Sequence, residues 1–216
     1  MARIAQVTNA DGKGWLMVKH DSPKDPKHPT FPPLPQHLKV SVNKVENGRE
    51  YFRILEGHLS GTTASVKLAE GNKSYLSDLT PHTGPAYVSF NRKKNELRYG
   101  WFCMHTGWPW ICGTIKAITD KSSPVPIGTW NLEIPYEVHG IGSGYESSSS
   151  FAATWFRIAS ESKDSVSDRF LHPGNVTLGC VTVKTLSSWT NIYNYLIKSR
   201  KGDGKNVGTI EVFEEE

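Results

Sequence analysis

Short runs of alternating or β-branched apolar residues, each closed by a turn signal, recur along the whole of this chain and leave little room for helices. Lys39-Val-Ser-Val-Asn-Lys-Val45 and Tyr51-Phe-Arg-Ile-Leu55 flank Asn47-Gly48, a pair that favours a tight hairpin because both positions tolerate positive φ. Tyr87-Val-Ser-Phe90 and Glu96-Leu-Arg-Tyr99 flank Asn91-Arg-Lys-Lys-Asn95 in the same way. Gly14-Trp-Leu-Met-Val-Lys19, Ala152-Ala-Thr-Trp-Phe-Arg-Ile158, Val181-Thr-Val183 and residues 207–213 supply further strands. The 19 glycines and 13 prolines provide the turns between them. One helix is predicted, over 187–199, where Ile192, Tyr195, Leu196 and Ser199 recur at helical spacing and Ser188 is placed to cap. The fold class expected is mainly β, mixed α+β, with one supporting helix near the C-terminus, packed behind the 181–183 strand.

At 216 residues the chain can bury one core plus a small accessory lobe. Residues 22–35 contain Pro23, Pro26, Pro29, Pro32, Pro33 and Pro35, which exclude regular helix and central strand and predict a stiff, extended spacer or strap. Pro32-Pro-Leu-Pro35 read as a peptide ligand is the weaker alternative. No stretch approaches the ~18 apolar residues of a membrane span, so none is expected. The first residues lack the ~7–15-residue apolar core of a secretory signal. The net charge of +4 is spread over short clusters such as Arg92-Lys-Lys94, without the basic stripe or module that nucleic-acid binding requires, so no nucleic-acid partner is expected.

The chemistry-bearing run is His172-Pro-Gly-Asn-Val-Thr177-Leu-Gly179-Cys180-Val-Thr-Val183. A cysteine attacks as thiolate, and an imidazole can take its proton at neutral pH. His172 lies eight positions before Cys180 (180 − 172). Pro173 and Gly174 must turn the chain between a strand that includes Arg169-Phe-Leu171 and one that begins at Val181. If those strands lie side by side, His172 and Cys180 face one another at a strand edge. Gly179 admits a substrate carbonyl close to the backbone, where the N–H groups of 179 and 180 can bind an oxyanion. Thr177 is placed to hold the loop by a hydrogen bond. His139, in Val138-His-Gly-Ile-Gly-Ser-Gly144, is the rival base, and the glycines after it suggest a lid over 140–150. Trp155, Arg157, Arg169 and His139 are the candidate substrate contacts, the arginines through a substrate carboxylate. Trp101, Trp108 and Trp110 line a groove or join the core. In the same window Cys103 and Cys112 either bridge across a hairpin or remain buried thiols; with His105 they lack a fourth ligand at any familiar zinc spacing, so no metal is expected, and no cofactor.

Thr177-Leu-Gly-Cys180-Val-Thr-Val resembles the Ser/Thr-x-Gly-Cys signature of the YkuD-type L,D-transpeptidases. Ala86-Tyr-Val-Ser-Phe-Asn-Arg-Lys-Lys-Asn-Glu-Leu-Arg-Tyr-Gly100 is similar to the opening hairpin of that domain, and Pro124-Val-Pro-Ile-Gly128-Thr-Trp-Asn-Leu132 to its Thr-Pro-x-Gly-Thr-Phe segment. The resemblance implies an L,D-transpeptidase-like β-sandwich over 83–216; the N-terminal strand segment (1–20), the Pro-rich connection (21–37) and an accessory β hairpin region (38–82) are read from their own residues and lie outside it. It implies a cysteine-dependent acyl transfer on peptidoglycan stem peptides, either transpeptidation or L,D-carboxypeptidase hydrolysis, performed in the periplasm or cell wall. Leu178 stands where most members have a second His, Thr182 where they have an Arg, and the His-to-Cys spacing is short; these departures resemble compact branches that include interbacterial toxins. Delivery by a specialised secretion system and a cognate immunity protein are what that branch implies. A general cysteine peptidase and a non-catalytic wall-binding module are the rival functions.

Overall fold

The computed structural model describes residues 2–21, 33–80, 82–103, 108–160 and 168–215, with the backbone alone for 101–103 and 108–112. The expectations on the side chains of Cys103, Cys112, His105 and the Trp101–Trp110 window, and on most of the Pro-rich run, fall outside those residues. Two compact units form, one from residues 1–81 with 136–138 and one from 82–135 with 139–216.

The first unit holds β1 (Arg3–Val7), β2 (Trp15–Met17), β3 (Lys19–His20), β4 (Pro33–Pro35), β5 (Lys39–Glu46), β6 (Arg49–Ile54), β7 (Thr63–Lys67) and β8 (Leu76–Asp78). Six of these make one antiparallel sheet in the order β3-β7-β6-β5-β1-β8, and β2 pairs with β4 alone. The β5–β6 hairpin turns at Asn47 and Gly48, both at positive φ (50° and 69°), as the Asn-Gly pair demands. Pro33 and Pro35 sit in a two-stranded pairing, where a missing N–H is tolerated. Glu50 is buried and satisfied by the Ser74 hydroxyl at 2.5 Å and by Arg3 at 3.4 Å.

The second unit holds β9 (Ala86–Asn91), β10 (Glu96–Cys103), β11 (Trp108–Ile118), β12 (Gly128–Glu133), β13 (Phe156–Ala159), β14 (Arg169–Pro173), β15 (Val181–Val183), α1 (Trp189–Ile197) and β16 (Asn206–Phe213). The eight strands close into a barrel in the order β10-β11-β15-β14-β13-β12-β16-β9. Among the described residues, α1 is the one α-helix, and none is long and apolar enough to cross a membrane. The molecule is mainly β, with its short helix near the C-terminus. A closed barrel stands where a sandwich was expected, because two parallel pairings, β14 with β15 and β16 with β9, join what would otherwise be free edges. Val88, Phe90, Leu97, Leu132, Phe156, Ile158, Leu171, Val181, Val183 and Ile210 alternate along these strands and form the core. At the β16–β9 seam the backbones approach so closely that a Cβ on Gly208 would lie 2.1 Å from the Ala86 carbonyl oxygen.

The helix is shorter than predicted, and Ser188 makes no side-chain cap: residues 186–188 already wind as a 3₁₀ turn, so the chain enters α1 from helical rather than extended backbone. It follows the Cys180 strand in the chain, but its anchors run elsewhere. Tyr195 hydroxyl accepts from Tyr87 N at 2.8 Å and donates to the Gly100 carbonyl. Trp189 Nε1 donates to Phe151 O at 3.0 Å, and Tyr193 stacks on Phe151 at 4.0 Å. The helix thereby fixes the 149–156 segment, which carries Trp155.

Candidate active site

Cys180 ends the loop 174–180 that joins β14 to β15. The pair is parallel, with Leu171 opposite Val181 and His172 opposite Thr182. Parallel neighbours usually need a crossover of about a dozen residues or more, so this short return is held by many bonds. Thr177 Oγ1 donates to the Cys180 carbonyl at 3.0 Å, as its position predicted. Gly174 N donates to Val183 O at 3.1 Å, Asn175 N to the Tyr145 hydroxyl at 3.2 Å, and Lys184 Nζ to Asn175 O and Oδ1 at 3.1 and 2.8 Å. Gly179, at φ +100°, completes the turn.

Strand alternation turns Leu171, Val181 and Val183 into the core and places Phe170, His172, Cys180 and Thr182 on the opposite face. His172 and Cys180 lie diagonally there. Two residues of strand rise and one inter-strand spacing put their Cα atoms roughly 8 Å apart. In this state each is engaged by another group. The Phe170 N–H donates to Cys180 Sγ at 3.4 Å, and His172 Nε2 lies 3.1 Å from the Thr182 hydroxyl. His172 Nδ1 lies 2.9 Å from the Pro173 carbonyl, an acceptor, which makes Nδ1 the protonated nitrogen and orients the ring.

An aromatic cluster covers this face. Trp155 stacks on His172 and on His139, both at 4.2 Å between ring centroids, and Phe170 meets His139 edge-on at 4.7 Å. Both expected base candidates thus stand in one cluster, linked by Trp155. Burial lowers the pKa of His172, with the Pro173 carbonyl opposing, and burial followed by the nearby His172 lowers that of His139 to about 4. Both rings are neutral at neutral pH. Burial likewise raises the Cys180 thiol above its ordinary 9.0, against the opposing pull of the Phe170 N–H and the Arg169 charge. Cys180 and His172 are only 8% and 5% exposed, whereas Val176 and Leu178 on the same loop are 72% and 87% exposed.

The two arginines considered for a substrate carboxylate are engaged within the fold. Arg157 pairs with Glu133 at 3.4 Å. Arg169 donates through Nη1 to Gly179 O at 2.8 Å and Ser123 O at 3.1 Å, and through Nη2 to Ser123 Oγ at 3.2 Å. It clamps the Cys180 turn to the 120–123 loop, whose own shape is set by Asp120 accepting from Ser122 N and Ser123 N. The 140–150 segment expected as a lid is pinned: residues 140–145 form a 3₁₀ turn, His139 N donates to Ala153 O at 2.9 Å, and Ser149 Oγ meets Thr190 Oγ1 at 2.9 Å. A Cβ on Gly142 would lie 2.3 Å from Ala152 O, so this turn is packed against 152–153. Phe170 and Ser123 flank the site without belonging to the motif, and Thr182 enters it only as a departure from a pattern; period-two alternation from Cys180 and His172 is the signal that places Phe170 and Thr182 on the same face.

A cavity of about 110 Å³ lies elsewhere on the barrel, against β9, β10 and β16, lined by Tyr87, Ser89, Arg98, Glu211 and Phe213. The Tyr87 hydroxyl donates to the Glu211 carboxylate there and its pKa is pushed up to about 12, by burial first and by that bond second. Among the described residues no group of His, Cys, Asp and Glu could hold a metal ion. No known protein family and no curated protein matches the chain.

Proposed function

We propose that the chain is a cysteine-dependent acyl-transfer enzyme acting on peptidoglycan stem peptides, an L,D-transpeptidase or L,D-carboxypeptidase whose barrel is a divergent relative of the YkuD-type domain. The observation that carries this reading is the parallel pairing of β14 and β15, which sets the buried Cys180 thiol and an oriented, neutral imidazole on one face beneath an aromatic cover. An imidazole whose Nδ1–H is held by a carbonyl has Nε2 as its basic atom, the geometry a general base needs.

In the reaction Cys180 Sγ bonds to the carbonyl carbon of the donor peptide as its proton passes to His172 Nε2. The carbonyl π pair moves onto oxygen, facing the backbone N–H groups around Gly179 and Cys180. Collapse breaks the C–N bond, the leaving amine takes the proton from Nε2, and a thioester remains. Water or the amine of a second stem peptide then attacks the thioester, with His172 taking the proton of the attacking group and returning one to Sγ. Action in the periplasm or wall, and an immunity protein if the enzyme is an antibacterial toxin, accompany this reading. The test is incubation of the protein and Cys180→Ala with tetrapeptide-rich peptidoglycan, the muropeptides being read by mass spectrometry. Loss of the terminal D-Ala or new cross-links with the native chain alone is expected, and identical profiles defeat the reading.

A further inference from the structure

Thr182 is fully buried, two residues after Cys180 on the same face. Its hydroxyl lies 3.1 Å from His172 Nε2 and 3.5 Å from the carbonyl oxygen of Val176. A hydroxyl carries one proton, so it donates to one of these at a time. Because Nδ1 carries the ring proton on Pro173 O, Nε2 is a bare lone pair and the hydroxyl donates to it at the shorter distance. The lone pair that must receive the Cys180 proton is therefore occupied.

Resting on the assignment of His172 as base to Cys180, we propose that Thr182 is a positioning residue that latches the base, and that the loop carrying Cys180 releases it. When the loop brings the Val176 carbonyl closer, the hydroxyl turns its proton to that oxygen and Nε2 is freed for the thiol proton. No other bond forms or breaks, and the hydroxyl keeps its proton throughout. The loop is built to report occupancy of the site: Val176 and Leu178 project outward, 72% and 87% exposed, on the very segment whose backbone supplies the second acceptor. A donor peptide seated over these aliphatic side chains presses on Val176 and so arms the thiol only when substrate is present. Other titratable or charged groups around the latch are His139 across Trp155, Arg169 at Gly179, and Tyr145 and Lys184 at Asn175.

The probe is iodoacetamide, which alkylates Cys180 without needing any peptide substrate and is scored at that residue by mass spectrometry. Thr182→Val removes the hydroxyl with little change of shape. Its Cys180 should react at neutral pH about 3- to 10-fold faster than native, the factor matching a displaced hydrogen bond. The pH profile should gain a step in the range of an imidazole. Thr182→Ser should restore the native rate, and His172→Gln in the Thr182→Val background should abolish the gain. An unchanged rate, or a gain that survives loss of His172, overturns the latch. Should Thr182→Val fail to fold, Thr182→Ala carries the same comparison. ¹⁵N spectra of the native protein supply a test free of variants: the Nδ1–H tautomer of His172 is expected, and Nε2–H overturns the proposal. A chain that passes these tests yet leaves muropeptides unchanged retains the latch and loses the substrate assignment.

Discussion

Gly179→Ala is the substitution from which the site has most to lose. Two separate penalties meet at that position. The backbone stands at φ +100°, a conformation that disfavours any Cβ by about 1–2 kcal/mol. The added Cβ would also lie 2.7 Å from Ser123 O and 2.7 Å from Arg169 Nη1. The guanidinium is the end of a long side chain and can retreat, but only by giving up its bonds to Gly179 O and Ser123. The Ser123 carbonyl is backbone held by the Asp120 turn and yields less. Losing part of the charge-assisted clamp adds about 1–2 kcal/mol at this partly exposed position, for a total of about 2–4 kcal/mol. At roughly 2–4 °C per kcal/mol for a chain of this size, the melting temperature should fall by about 5–15 °C. Thermal unfolding of native, Gly179→Ala, Arg169→Ala and the double variant forms a cycle. Much of the damage from Gly179→Ala runs through the guanidinium, so the double variant should be less impaired than the sum by about 0.5–2 kcal/mol. A Gly179→Ala protein as stable as native, or strict additivity, would refute the clamp.

Gly208→Ala should prevent barrel formation, because the new Cβ would lie 2.1 Å from the Ala86 carbonyl oxygen, a backbone atom that cannot retreat as a side chain would; far-UV circular dichroism and proteolysis read the outcome, and a native-like spectrum contradicts the seam. Stability should fall with acid between the ordinary histidine range and about 4. The unfolded chain binds a proton on His139 there that the folded chain refuses, so ΔG of unfolding rises with pH across that window and is lost as pH falls through it. Urea midpoints against pH should show this slope, shallower in His139→Gln; an unchanged slope removes His139 as its source. Protonation of His139 against Trp155 should quench indole emission near pH 4, and Trp155→Phe should delete that component. Native Cys180 should alkylate slowly at neutral pH, the rate climbing as pH rises past the ordinary thiol value of 9.0; a fast reaction at pH 7 in the free protein would contradict the burial of the thiol.

The strands of this protein are legible in its sequence because each carries its own period and its own turn. Asn47-Gly48 and the 91–95 turn specify their hairpins from neighbouring residues. What closes the barrel is not local: β16 beside β9 and β14 beside β15 are parallel pairs, which leave no hairpin signature. The placement of His172 and Cys180 on neighbouring strands was readable from a short turn between two apolar runs, as was the hydrogen bond that Thr177 makes within the loop. The Arg169 clamp was not, since its partner Ser123 lies 46 positions away in a loop with no motif. His139 and His172 read as rivals because sequence separation says nothing of Trp155, the ring that joins them. Thr182 read only as a departure from a pattern, although period-two alternation aligns it with Cys180.

The seam between β16 and β9 also bears on the order in which the protein can assemble. It joins Ala86 to Gly208, residues separated by 122 positions (208 − 86), and such distant pairings form slowly because the intervening chain must first be ordered. A nascent chain that has emerged only through α1 already contains Arg169, His172, Cys180 and every ring of the aromatic cluster, yet β9 and β12 each still lack a neighbour. The Cys180 thiol is thus translated before the wall that supports it is complete, and until β16 docks, those two edges are open to any passing strand. Chaperone demand during synthesis should centre on that interval, and the last strand to pair decides when the site exists.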